Sequence, residues 1–169
     1  MVMGSGVRNK LLALGALWGL LLAIFPAVLA FDRFALSPFL ISALICAGFS
    51  GAVSMLFTGL RAAATPARRG LFAAVRIGVL QGLISAVLAA LTIWLALTIT
   101  ISGFSVESPS EILDLYRQPA IFIEGAIAAI AVLVYTVAVG TLFSPVIGAT
   151  IQRIVRPESA ARRIASEPL

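Results

Sequence analysis

The sequence predicts an all-α fold, a polytopic membrane protein built as a bundle of four transmembrane helices. Three observations predict it. Apolar residues make up 61% of the chain and charged residues 11%, whereas a soluble domain carries about 25% charged residues to cover its surface. Four apolar stretches are each long enough for the ~20 residues that a helix needs to cross a ~30 Å hydrocarbon core. The basic residues gather in alternate connections between those stretches.

The four stretches cover about 11–31, 38–60, 77–101 and 120–144. Each must be helical, because backbone N–H and C=O groups find no water partner in lipid. Proline marks the boundaries: Pro38, Pro66, Pro109 and Pro119 each stand where a first helical residue would sit. There the missing N–H would have no intrahelical partner in any case. Pro145 follows an apolar run without a break, so a kink is expected near the end of the fourth helix.

Orientation follows from charge. Arg8 and Lys10 precede the first span. Arg61, Arg68, Arg69 and Arg76 lie between the second and third, and Arg153, Arg156, Arg162 and Arg163 follow the fourth. The opposite side holds only Arg33 and Arg117 among basic residues, with Asp32, Glu107, Glu111 and Asp114. The positive-inside rule places both termini and the middle loop in the cytoplasm. A competing reading takes Arg8, Lys10, the first apolar run and the small residues up to Ala30 as a signal peptide. The apolar run is longer than the usual 7–15 residues of such a peptide, which favours an uncleaved span.

Outside the spans, the loop 103–118 reads as a short amphipathic helix over about 109–117. Ser108 and Glu111 have capping-box spacing, and Ile112, Leu115 and Tyr116 share one face. It is expected to lie flat on the outer membrane surface, its acidic side either solvated or available for docking. At the other end, Ile147, Ile151, Ile154 and Val155 face away from Gln152, Arg153 and Arg156. That pattern predicts an interfacial extension of the fourth helix. Residues 157–169 are expected to be a disordered tail.

In the second span, Ser42, Cys46, Ser50, Ser54 and Thr58 recur at every fourth residue, flanked by Gly48 and Gly51. The fourth repeats the device with Thr136, Gly140, Ser144 and Gly148. Small residues let helices approach closely, and hydroxyls can bond across the interface. The ribbon is either a helix-packing seam or a polar path for a solute. Residues 52–58 align with 138–144 at four identical positions of seven, so the chain reads either as two tandem hairpins or as two packing helices with converged seams. Gly15 and Gly19, and Gly78 and Gly82, add small-residue pairs to the first and third spans.

Ionisable residues in a membrane are functional candidates. Glu124 sits shallowly in the fourth span, within reach of Arg33 or Arg117, as a structural group or as a proton, cation or partner site. Arg76 can snorkel from the end of the third span. Gln81, one turn further in, is expected to bond a neighbouring helix.

Several classes are excluded or disfavoured. The chain has no histidine, which removes histidine-ligated metals and Ser-His or Cys-His pairs. No Gly-rich phosphate loop and no paired intramembrane carboxylates are present. Cys46 is the sole cysteine. The net charge of +5 belongs to the span ends and to lipid headgroups, so no nucleic-acid partner, no metal and no cofactor are expected. The leading expectation is a non-enzymatic subunit or assembly protein of a larger membrane complex. Its partners would be the bilayer and other membrane subunits or further copies of itself. Its composition suits a bacterial inner membrane. A small-solute or ion transporter acting as an oligomer is the alternative. A lipid-acting membrane enzyme is a distant third.

Overall fold

A computed structural model describes residues 4–34, 38–64, 70–101, 110–111, 114 and 117–166, with side chains for 4–24, 40–64, 70–96, 110–111, 114 and 117–155. The chain is a multi-pass membrane protein, all-α, with four long apolar helices packed as a bundle. The helices are α1 (Ser5–Phe34), α2 (Pro38–Ala64), α3 (Leu71–Ile101), α4 (Pro119–Leu142) and α5 (Ser144–Ser166).

Proline opens two of them. α2 begins on Pro38, and α4 begins on Pro119 after the extended Gln118. Pro66 and Pro109 lie outside the described residues. α3 starts at Leu71, well before residue 77, and α2 runs on to Ala64, past residue 60. Arg61 and Arg76 are carried within these helices and are exposed. A long side chain can reach a polar surface without ending the helix that carries it, so charge is a poor marker of helix ends here. Gly70 supplies the positive φ of 133° from which the chain turns into α3.

The break expected near Pro145 is found at Phe143. α4 ends there and α5 starts at Ser144, with Pro145 as its second residue. The N–H groups of Val146 and Ile147 both bond to the carbonyl of Phe143. Of the outer loop, Ser110, Glu111 and Asp114 are helical, while Ser108, Pro109, Ile112, Leu115 and Tyr116 lie outside the described residues.

α1 packs on α2, α2 on α3, and α3 on both α4 and α5. α5 also reaches α2 and α1. The apolar stripe expected to face the membrane surface is covered by these helices. Ile147, Ile151 and Val155 are buried against Leu11 and Met55. Their apolar stripe suits a membrane surface and a helix surface equally; the break at Phe143 turns it onto the latter. α5 also continues past Pro157 to Ser166, where a disordered tail was expected. The Ala- and Arg-rich segment after Pro157 has high helix propensity. A second core, Ala90, Ile93 and Ala129, with Trp94 packed beside it, joins α3 to α4.

Candidate functional site

α2 presents its polar ribbon to α3. Ser50, Ser54 and Thr58 are buried, and Ser42 and Cys46 are half-buried. Facing them is Gln81 of α3, fully buried. Both ends of its amide are held: Nε2 donates to Ser54 Oγ at 2.8 Å, and Oε1 accepts from Thr58 Oγ1 at 2.5 Å. Thr58 Oγ1 also lies 2.6 Å from the Ser54 carbonyl. A threonine hydroxyl has one proton to donate, so these two acceptors compete for it.

About three turns further along α3, Thr92 completes the seam. Its Oγ1 is 3.1 Å from Ser50 Oγ, and either hydroxyl can donate. Its carbonyl accepts from Cys46 Sγ at 3.5 Å. Ser50 also donates to the Cys46 carbonyl at 2.7 Å. The α2–α3 seam is therefore a ladder of hydroxyls around one amide. These groups are neutral, and the ladder holds no general base.

The second ribbon meets α3 differently. Thr136 and Gly140 of α4 are buried, as are Ser144 and Gly148 of α5. The contacts are between backbones. A Cβ on Gly140 would lie 2.9 Å from the Gly82 Cα. A Cβ on Gly78 would collide with the Ser144 carbonyl, and one on Gly148 with the Ala74 carbonyl. α1 and α2 are sealed in the same way, with Gly15 against Gly51 and Gly19 against Ala47. Gly125 leaves room for the Trp94 indole, whose ring stands edge-on to Phe122 at 5.1 Å.

The aligned segments 52–58 and 138–144 thus occupy non-equivalent places. Ser54 and Thr58 face α3 across the two hairpins, whereas Gly140 and Ser144 face α3 within one hairpin. Both surfaces dock on the same helix.

The charged candidates are not brought together. Arg117 pairs with Asp114 at 3.0 Å, not with Glu124. Both partners of that pair are well exposed, where an ion pair contributes little. Glu124 is exposed on α4, and the side chain of Arg33 lies outside the described residues. Among the described residues there is no cluster of three potential metal ligands.

Two buried or half-buried polar residues of α3, Ser85 and Thr92, escape a search for four-residue spacing within α2 and α4. They could have been found on α3 itself, because Gln81, Ser85 and Thr92 are four and seven apart and share a helix face. No family model, no curated protein and no solved structure matches the chain.

Proposed function

We propose that the chain is a non-enzymatic membrane subunit or assembly protein of a larger membrane complex, acting in a bacterial inner membrane with its arginine-rich end in the cytoplasm. One observation carries this reading. The strongly polar side chains of the α2–α3 seam satisfy one another, Gln81 with Ser54 and Thr58 and Ser50 with Thr92. That leaves a scaffold of close-packed helices, with no group in the seam offered to a substrate. The test is purification from native membranes in mild detergent, with mass determination and identification of whatever copurifies. Other proteins in fixed ratio are the expected result. A lone homo-oligomer that moves a solute across liposomes would overturn the reading.

The oligomeric transporter is the second reading. It is favoured by the half-buried Ser42 and Cys46, which extend the ribbon beyond the sealed part of the seam. With Cys46 replaced by alanine, a cysteine introduced as Ser54→Cys should be protected from water-soluble thiol reagents if the seam is closed. Rapid labelling would favour transport.

A further inference from the structure

The outward face of α3 carries Phe72, Arg76, Leu83, Val87 and Leu91, all exposed and spaced by four or seven residues. Arg76 is a permanent charge set within an otherwise apolar stripe. Phe72, 84% exposed, lies one turn further out, about 6 Å along the helix. The guanidinium is therefore held where apolar side chains still face outward, at the boundary between acyl chains and headgroups.

Among the described side chains, no acidic one lies near it. Among the described residues no carboxylate forms an ion pair with Arg76. Glu124 stands near the start of α4, which runs antiparallel to α3, packs Gly140 on Gly82 and leads into Ser144 of α5, which packs on Gly78. That places Glu124 at the opposite end of the bundle. Among the described side chains, the charged neighbours at the near end are basic. Thr58 meets Gln81, so Arg61, just beyond Thr58, and Arg76, just before Gln81, come to the same end. Arg8 joins them through the contact of Leu11 with Gly59.

We propose that Arg76 binds the phosphate of an anionic phospholipid, whose acyl chain lies along Leu83, Val87 and Leu91. The planar fork of a guanidinium matches phosphate oxygens, and the basic residues at the same end of the bundle favour a headgroup with net negative charge. The composition of the stripe points to lipid rather than to a protein partner. Helix–helix seams in membranes favour small residues, and this protein's own seams follow that rule with Gly78, Gly82 and Gly140. The Arg76 stripe is built of phenylalanine, leucine and valine.

The full-length protein would be purified from mixed micelles of phosphatidylglycerol and phosphatidylcholine, and its bound lipid quantified by headgroup. The wild type should retain phosphatidylglycerol selectively. Arg76→Gln should lower that retention about fivefold, the effect of one basic residue near an anionic surface. Arg76→Lys should keep most of it, and Arg153→Gln, on α5, should matter less. Selectivity in the wild type should also weaken as salt rises, a readout that requires no variant to fold. Equal retention by wild type and Arg76→Gln would overturn the proposal, as would salt-independent selectivity. So would a copurifying protein that is lost with Arg76→Gln while bound phosphatidylglycerol is unchanged.

Discussion

The two ribbons look alike in sequence and work differently in the fold. On α2, Ser50, Ser54 and Thr58 meet α3 side chain to side chain, through Gln81 and Thr92. On α4 and α5, Gly140, Ser144 and Gly148 meet the same helix backbone to backbone. The difference lies in what α3 turns toward each. The side chains of Gln81 and Thr92 reach α2, whereas Ala74, Gly78 and Gly82 offer bare backbone to Gly148, Ser144 and Gly140. Four-residue spacing of small residues therefore identifies a packed face, and the opposing helix decides how that face is used.

The largest effect should come from the backbone seam. Gly78→Ala places a Cβ on the Ser144 carbonyl, and backbone, unlike a flexible side chain, has little room to yield. Overpacking of this kind costs about 1–3 kcal/mol. Titration of the purified protein with denaturing detergent should show the loss as an earlier transition. The fluorescence of Trp18, which stands edge-on to Phe143 at 5.7 Å and packs beside the core that includes Ile147 and Ile151 of α5, reports on this region. A neutral Gly78→Ala would mean that α3 and α5 are further apart than described, and the contrast between the ribbons would fail at its stronger end.

The hydrogen-bonded seam should respond less. Interhelical hydrogen bonds in membranes average about 0.6 kcal/mol and reach about 1.7. Gln81→Leu removes two of them while keeping much of the side-chain volume, so a loss of about 1–2 kcal/mol is expected. A double-mutant cycle with Thr58→Val isolates the 2.5 Å contact from the change in packing. The expected coupling falls within that single-bond range. Zero coupling would reduce the ladder to shape alone and erase its difference from the glycine seam.

Much of this architecture was legible in the sequence because lipid imposes few solutions. Four apolar runs had to be four helices, and Pro38 and Pro119 begin two of them. Gln81 was readable as a bond to a neighbouring helix, since an amide at that depth needs a protein partner. The course of α5 was not readable, because its Ile147, Ile151 and Val155 stripe is the same whether lipid or protein covers it. The pairing of Arg117 with Asp114 rather than Glu124 was equally hidden. All three residues lie close in sequence, and only the turn before Pro119 determines which carboxylate the guanidinium meets. Within the seams, spacing located the ribbons but could not assign their partners on α3.

The smallest effect separates two glycines that the sequence presents as equals. Gly48 and Gly51 both flank the α2 ribbon, yet they differ in what lies beyond them. A Cβ on Gly48 would meet Leu20 side-chain atoms at 3.7 Å, an ordinary van der Waals contact. A Cβ on Gly51 would collide with the Gly15 carbonyl and come within 2.8 Å of the Gly19 nitrogen. Gly48→Ala should therefore be neutral or slightly stabilising, since alanine in a helix interior gains about 0.5–1 kcal/mol over glycine where it fits. Gly51→Ala should destabilise by an amount comparable to Gly78→Ala. The same detergent titration can follow both through Trp18, which packs beside the core formed by Leu11, Met55 and Ile151. If Gly48→Ala proved as harmful as Gly51→Ala, α1 would have to cover both positions closely. The backbone contact would then extend around α2 toward the polar ladder, and the two kinds of seam would merge on that helix.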